Sequence, residues 1–137
     1  MSSRGRPYRT VDVEGFTVLI GRGDVENDEL TFEIAGPDDV WMHVAGGTPG
    51  SHVIVRNPEH LAELPRSVIL AAASLAAHFS KARRAKTVEV HVCRVSDVSK
   101  ARGMPPGMVL LARWKRARVS PAAASDAARG VTDQPPR

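Results

Sequence analysis

Alternation of apolar and polar residues is the main structural signal in this sequence. In the clearest case, Val88, Val90 and Val92 would lie on one face of a strand, with Glu89 and His91 on the other. The same period of two predicts five strands, and residues 114–119 either extend the last of them or form a further strand. These strands are residues 16–20, 40–44, 52–56, 87–92 and 108–112.

An alanine-rich segment in the middle of the chain has the spacing of an α-helix. Pro65 suits the first turn, because its fixed φ and missing N–H are compatible with a helix start. The prediction is one long helix from Pro65 to about Lys81 or Arg84. Its apolar stripe consists of Val68, Ala72, Leu75 and Phe79.

A shorter helix through Ala35 is predicted before the second strand. Leu30 and Ile34 have the i, i+4 spacing of a buried face, and Asn27 or Asp24 would cap the helix. The order is therefore a strand, a short helix, two strands, a long helix, and two or three strands. This order favours the α+β class, with a mixed, mostly antiparallel twisted sheet, one long alanine-rich helix and one short helix.

Length and composition favour one domain. The 137 residues suffice for a single core, which we assign to residues 11–121. Residues 1–10 lack periodicity and are expected to be flexible, and residues 122–137 are expected to form a disordered tail. The longest apolar run has six residues and the only cysteine is Cys93, so we predict a cytoplasmic protein without a disulfide or membrane span.

Charge is unevenly distributed along the chain. Residues 1–64 carry 5 Lys/Arg and 11 Asp/Glu, whereas residues 65–137 carry 14 and 4, respectively. A basic half favours polyanionic partners: RNA, DNA or an anionic membrane. Arginine supplies 15 of the 19 cations, which suits phosphate forks and base stacking, although a compositional bias would also account for that share.

Aromatic and basic residues recur on two of the predicted strands. Trp41 and His43 share one strand face, and His52 shares a face with Arg56 on the next strand. If these strands pair across the glycine-rich loop 45–51, an indole, two imidazoles and a guanidinium would share one surface. Such a surface suits unpaired nucleotides. The competing interpretation places Trp41 in the core and the histidines in hydrogen bonds to backbone.

The long helix offers a second candidate surface. Ser74, His78 and Lys81 have the spacing of one polar stripe. The basic run in residues 113–118 is equally typical of a solvated edge strand. The cations expected to contact phosphate lie at the helix end and in the following Gly/Pro loop: Lys81, Arg83, Arg84, Lys86, Lys100 and Arg102.

No catalytic signature is present in the sequence. Ser51 and His52 are adjacent on a strand and would point to opposite faces, so they do not form a nucleophile and base pair. His43, Asp38 and Asp39 have no recognisable metal-ligand spacing. We therefore expect neither an enzyme nor a cofactor or metal site.

Five ordered blocks resemble the RNA-binding domain called NFACT-R. The resemblance covers residue 14 to about 121. The sequence departs from the family pattern after Gly21-Arg22, where the family commonly has Asn-Asn and this chain has Gly23-Asp24. The most diagnostic blocks are Asp39-Val40-Trp41-Met42-His43-Val44 and Pro49-Gly50-Ser51-His52-Val53-Ile54. The others begin at Gly15-Phe16, at Ala71-Ala72-Ala73 in a helix ending in Ser80-Lys81-Ala82-Arg83, and at Val88-Glu89-Val90.

The resemblance implies a function. In that family the module is the C-terminal part of ribosome-associated quality-control factors, which bind the large ribosomal subunit and recruit tRNA. The other family domains do not fit in 137 residues, so the resemblance is to the stand-alone form. It implies binding of tRNA or rRNA, without indicating which RNA or which oligomeric state, through Trp41, His43, Gly50, Ser51, His52, Ser80, Lys81 and Arg83.

Two other functions are compatible with the sequence. The first is an RNA-processing or RNA-modifying enzyme that uses His43 and His52 as acid and base. The second is an adaptor that docks onto a larger RNA enzyme or a ribosomal protein.

Overall fold

The computed structural model describes residues 6–130, which form a twisted antiparallel sheet with helices on both sides. The strands are β1 (Tyr8–Val13), β2 (Phe16–Gly21), β3 (Val40–Val44), β4 (Val53–Val55), β5 (Val88–Arg94), β6 (Val98–Ser99), β7 (Leu110–Leu111) and β8 (Lys115–Val119). The helices are α1 (Asp24–Glu29), which continues into a π-helical turn (Leu30–Ile34), α2 (Arg66–His78) and α3 (Ser125–Arg129). Short 3-10 turns span Val95–Asp97 and Pro121–Ala124. The predicted α+β class is confirmed.

The main sheet has six strands in the order β1-β2-β4-β3-β5-β8. The predicted hairpin across the glycine-rich loop is present, with Trp41 opposite Ile54. On its other side β3 pairs with β5, which places His43 opposite His91. Strands β6 and β7 form a separate two-stranded sheet. Residues from distant parts of the chain therefore meet on β3, β4 and β5.

The main core lies between α2 and one face of the sheet. Val68 and Leu75 are fully buried, as are four alanines of the same helix: Ala72, Ala73, Ala76 and Ala77. Because alanine has only a methyl side chain, the helix axis lies close to the valine-rich strands. Burying each larger side chain stabilises the fold by about 1.5–3 kcal/mol. The alanines thus determine how close α2 comes to the sheet.

A smaller core lies on the opposite face of the sheet. Its buried members include Leu19, Leu30, Trp41 and Ile54, and they are covered by the π-helical turn and part of the segment 95–111. The alternation predicted for the strands is therefore present, but both faces of the central strands are largely buried. Trp41 therefore lies on the sheet face opposite α2 and is still buried.

The two ends of the described chain are more ordered than the sequence predicts. Strand β1 begins at Tyr8, inside the segment expected to be flexible, and pairs with β2 along its whole length. Val11 and Val13 are buried, and this burial explains the added strand. Beyond residue 120, Ala124 is 1% exposed and packs against the main core. Residues 131–137 of the predicted disordered tail lie outside the described residues, and so do residues 1–5 of the predicted flexible N-terminus.

Three element boundaries also differ from the predictions. Helix α1 has Gly23 at its N-cap, so neither Asn27 nor Asp24 caps it. Helix α2 ends at His78, before the predicted end. The predicted strand 108–112 is reduced to the two residues of β7, and β8 is a separate strand that pairs with β5. Within residues 6–130, no helix combines the length and apolar character needed to cross a bilayer.

Candidate nucleic-acid interface

Trp41, His43 and His52 form one ring cluster, as the hairpin prediction requires. The Trp41 and His43 rings stack with centroids 6.0 Å apart. The His52 ring meets both of them edge-on, at 5.1 Å from Trp41 and 5.5 Å from His43. The strand pairing thus brings the predicted aromatic residues together, but their exposure differs.

His52 is buried and both of its ring nitrogens are hydrogen-bonded. Its Nε2 lies 3.1 Å from the carbonyl of Gly107, and its Nδ1 lies 2.8 Å from the hydroxyl of Thr31. Since a carbonyl only accepts, Nε2 carries the proton and Nδ1 accepts from Thr31. Burial, followed by the neighbouring His43, lowers the pKa of His52 to about 4. The ring is neutral and connects β4, the π-helical turn and the loop at residue 107.

Trp41 belongs to the smaller core. It is 2% exposed and packs with Leu19 and Ile54, so neither face of the indole is open to a nucleotide. Its Nε1–H has no acceptor among residues 6–130, so packing alone positions the ring. The predicted base-stacking role of Trp41 is therefore incompatible with its burial, and the competing core interpretation is correct.

His43 is half-buried, unlike the other two rings of the cluster. Burial is the main cause that lowers the pKa of its imidazole, and the nearby His91 lowers it further. At neutral pH the ring is therefore an uncharged hydrogen-bonding group. Of the three predicted aromatic contacts, only His43 is partly exposed.

Gly50, Ser51 and Ser80 join the glycine-rich loop to the end of α2. The Ser51 hydroxyl donates to the carbonyl of Gly21 at 2.7 Å, and a β-bridge links Gly50 to Ser80. A Cβ on Gly50 would lie 2.8 Å from the Ser80 Cβ, so glycine is needed for this approach. The buried Ser80 hydroxyl donates to the Ala77 carbonyl at 2.7 Å. The side chains of Ser51 and Ser80 and the backbone of Gly50 are therefore engaged within the protein, although all three were predicted to bind RNA.

Asn27 completes this arrangement and was missed as a site residue in the sequence. Its Oδ1 accepts the backbone N–H of His52 at 3.0 Å, and its Nδ2 donates to the Gly50 carbonyl at 3.3 Å. A Cβ on Gly21 would lie 1.9 Å from that Oδ1, so the glycine makes room for the amide. The sequence did contain a signal for a special role of Asn27, because asparagine is a weak helix former and this one lies in a short predicted helix.

Four cations follow α2 on what we call the basic turn: Lys81, Arg83, Arg84 and Lys86. All four are exposed, and within residues 6–130 none of them forms an ion pair. The backbone N–H of Lys81 donates to the Pro49 carbonyl at 2.9 Å, and the N–H of Arg83 donates to the Ser80 carbonyl at 3.3 Å. The backbone thus holds the basic turn against the glycine-rich loop.

Lys100 and Arg102 lie on the loop that contacts α1 through Asp28. The Lys100 ammonium lies 3.0 Å from an Asp28 carboxylate oxygen. It also donates to the carbonyls of Pro105 at 2.7 Å and Met108 at 2.8 Å. Lys100 is therefore paired with a carboxylate of α1, whereas Arg102 is exposed.

Arg56 and His78 do not join the ring cluster. Strand β4 ends at Val55, and the Arg56 Nε forms an ion pair of 2.9 Å with the buried carboxylate of Asp39. The His78 ring packs edge-on against Phe79 at 4.9 Å. The predicted polar stripe through His78 is wrong, because its first member, Ser74, is buried.

Comparison with known proteins agrees with the resemblance noted in the sequence. A family model described as the NFACT protein RNA binding domain matches residues 6–113. The chain belongs to this family. It is an RNA-binding domain of the NFACT kind, and the Trp41 and His52 blocks both lie within the matched region.

Two curated relatives and one solved structure are similar to this NFACT domain. The Rqc2 homolog RqcH of Bacillus subtilis is 38% identical over 95 residues, 69% of this chain and 16% of that protein. The Streptococcus suis homolog is 37% identical over 119 residues, 86% of this chain and 21% of that protein. The C-terminal part of the Streptococcus suis fibronectin/fibrinogen-binding protein has a TM-score of 0.78 at 35% identity, covering 88% of this chain and 47% of that chain. The chain thus spans 16–21% of the length of these curated relatives.

A second aromatic and basic group lies at the β5–β8 edge of the NFACT domain. We call this edge cluster His91, Trp114, Arg116 and Arg118. The Trp114 ring is 45% exposed and its centroid lies 5.5 Å from that of His91. The basic run in residues 113–118 predicts an edge strand and does not by itself indicate a role for Trp114. The useful signal was an indole at position 114 followed by three cations within the next four residues.

Proposed function

We propose that this NFACT domain binds structured RNA, tRNA or rRNA, by placing phosphates on the basic turn, and that it does so in ribosome-associated quality control. The observation that carries the proposal is the set of four exposed cations that form no ion pair within residues 6–130. The binding is stoichiometric, with no catalytic step, and takes place in the cytoplasm.

The position of the basic turn supports phosphate contact over a structural role. Cations near a helix C-terminus stabilise the helix dipole, but the effect falls off within the last turn. Helix α2 ends at His78, whereas Arg83, Arg84 and Lys86 follow it by five residues or more. The neighbouring loop 45–51 contains no acidic residue, so nothing there would repel a phosphate.

The glycine-rich loop supports the same proposal. Gly46 and Gly47 have positive φ values of 78° and 74° and are exposed, so a polynucleotide backbone could approach the loop closely. The half-buried His43 lies on the strand that leads into this loop. We assign it the role of an uncharged hydrogen-bonding group at the border of the phosphate surface.

The acid and base pair of the enzyme alternative is not supported by the geometry. His52 is 1% exposed and both ring nitrogens are occupied by Thr31 and Gly107. A general base must reach the proton that it removes. His43 alone could contact RNA, so the binding proposal is preferred.

A salt series with labelled tRNA and rRNA fragments tests the proposal. We expect the logarithm of the binding constant to fall steeply with salt, and the slope to decrease by about 2 in the Arg83→Ala/Arg84→Ala variant. Arg66→Ala removes an exposed cation at the opposite end of α2 and is the control for a general charge effect. An affinity independent of salt, or equal weakening by Arg84→Ala and Arg66→Ala, would overturn the proposal.

A further inference from the structure

The two tryptophans of the chain occupy opposite environments. Trp41 is 2% exposed, whereas Trp114 is 45% exposed and its ring contacts the His91 ring at a tilt of 44°. Stacking of a nucleobase requires an accessible aromatic face. Trp114 has one, and Trp41 does not.

The cations around Trp114 favour a polyanion. The Arg116 and Arg118 side chains are 69% and 66% exposed. Glu89 is the carboxylate that faces them, with its oxygens 3.5 Å from Arg116 and 3.9 Å from Arg118. One carboxylate cannot neutralise two guanidiniums, so the edge cluster keeps a net positive charge.

The edge cluster is continuous with the basic turn. Arg118 Nη1 donates to the Thr87 hydroxyl at 3.4 Å, and Thr87 directly follows Lys86 of the basic turn. In the strand register Arg116 lies opposite His91, which in turn lies opposite His43. A strand of RNA whose phosphates contact the basic turn would therefore have Trp114 within its path along the sheet edge.

We propose that the edge cluster binds an unpaired nucleotide of the RNA, whose base stacks on the exposed face of Trp114 while its flanking phosphates contact Arg116 and Arg118. This inference rests on the proposed RNA-binding function and specifies its substrate class as RNA with an unpaired segment beside a helix. Trp114 lies just outside the region matched by the family model, which ends at residue 113. Cations alone would protect an edge strand from self-association, and they give no reason for an exposed indole among them.

Three RNAs with one common duplex stem test the proposal. One is blunt, one carries four unpaired nucleotides at its 3′ end, and one carries the same overhang with abasic sugars. The abasic RNA retains the phosphates and lacks the bases. We expect the intact overhang to bind about 5- to 150-fold more tightly than the abasic one, the range given by base–aromatic stacking of one base. The Trp114→Ala variant should bind the two equally, and Trp114→Phe should retain most of the preference.

Tryptophan fluorescence provides a second measurement that does not depend on the alanine variant. The chain has two tryptophans, so Trp114→Phe leaves Trp41 as the sole source of tryptophan emission. The intact overhang should quench the wild-type emission and protect it from acrylamide, with neither effect in Trp114→Phe. Equal binding of intact and abasic overhangs by the wild type, or quenching that persists in Trp114→Phe, would overturn the inference.

The same titrations separate this inference from the proposed function. If Arg83→Ala/Arg84→Ala weakens all three RNAs while Trp114→Ala leaves the overhang preference intact, the stacking role is wrong and phosphate binding by the basic turn stands. If Arg83→Ala/Arg84→Ala binds all three RNAs like the wild type, the proposed function is wrong. A thermal unfolding midpoint for each variant shows that the fold is retained.

Discussion

The block Gly50-Ser51-His52 and the basic turn lie side by side but differ in how their polar groups are used. In the block, the Ser51 hydroxyl and both His52 ring nitrogens are hydrogen-bonded within the protein. In the basic turn, the four cationic side chains are exposed and form no ion pair within the described part of the chain. The polar groups of the block Gly50-Ser51-His52 thus stabilise the fold. The cations of the basic turn, which are less distinctive in the sequence, are available to a ligand.

The difference follows from the cost of leaving a buried polar group without a partner. Such a group costs about 1–3 kcal/mol when its hydrogen bond is lost, whereas most exposed substitutions change stability by less than about 0.5 kcal/mol. Substitutions in the block should therefore be detected mainly by unfolding, and substitutions in the basic turn mainly by RNA binding. Four predictions test this separation, in decreasing order of effect on stability.

Gly21→Ala should have the largest effect. The added Cβ would lie 1.9 Å from the Asn27 Oδ1, so the amide must move and would leave the buried N–H of His52 without its acceptor. Overpacking and the lost hydrogen bond together should reduce the free energy of unfolding by about 3 kcal/mol or more, measured by urea denaturation. Gly36→Ala is the control, because the nearest atom to its Cβ would be 3.8 Å away. Equal losses in both variants would contradict the prediction.

Acidification should destabilise the protein by a comparable amount. The pKa of His52 is about 4 in the folded protein and 6.5 in its unperturbed state. Above pH 6.5 the ring is neutral in both states and stability is unaffected. As the pH falls from 6.5 to 4 the unfolded chain takes up the proton first, so stability declines by up to about 3 kcal/mol. The lowered pKa of His43 acts in the same direction.

Unfolding free energies measured between pH 7.5 and pH 4 check this linkage. His52→Gln removes the titrating group, so its stability should fall less steeply over the same interval than that of the wild type. Parallel pH profiles for the two proteins would mean that His52 is not the source of the acid sensitivity.

Lys100→Met should reduce stability by an intermediate amount. It tests whether Lys100 stabilises the fold or binds phosphate. It removes the contacts of the ammonium with Asp28, Pro105 and Met108, which should cost about 1–2 kcal/mol of stability. Arg102→Met removes the same charge from an exposed site on the same loop and should cost less than about 0.5 kcal/mol. A Lys100→Met variant with native stability and a reduced salt slope for RNA would reverse the assignment.

The Arg83→Ala/Arg84→Ala variant should have the smallest effect on stability. Both side chains are exposed and form no ion pair within residues 6–130, so the free energy of unfolding should stay within about 0.5 kcal/mol of the wild type. Urea denaturation on the sample used for the salt series gives the comparison. A loss above 1 kcal/mol would show that the basic turn is part of the structural block.

The strands with one clear buried face were predictable from the sequence. Strand β3 has the predicted bounds, and its hairpin partner β4 follows from the glycine-rich loop between them. Long helix α2 was also identified by its apolar stripe, although its end was placed too late. Alternation indicates a strand but does not show whether its second face is covered, and this is why Trp41 was assigned to a surface.

The remaining misassignments come from contacts between distant segments. Asn27 and Thr31 contact His52 from the first helical segment, and Gly107 contacts it from a distant loop. No local pattern indicates that these two parts of the chain converge. Strand β1 was missed because its first residues, Tyr8 and Arg9, gave no apolar alternation until Val11. The role of Trp114 was missed because the neighbouring cations are typical of a solvated edge strand, and that explanation required no function for the indole.

The backbone bonds that hold the basic turn also bear on how fast RNA is captured. Lys81 and Ser51 donate to the Pro49 and Phe79 carbonyls at 2.9 Å and 3.0 Å, so the turn is built before any ligand arrives. Ordering of the main chain therefore adds nothing to the entropy lost on association, and only side-chain rotamers become restricted. The encounter should be a single kinetic step whose on-rate is accelerated by electrostatic attraction and slows as salt is added, with no lag from a folding loop.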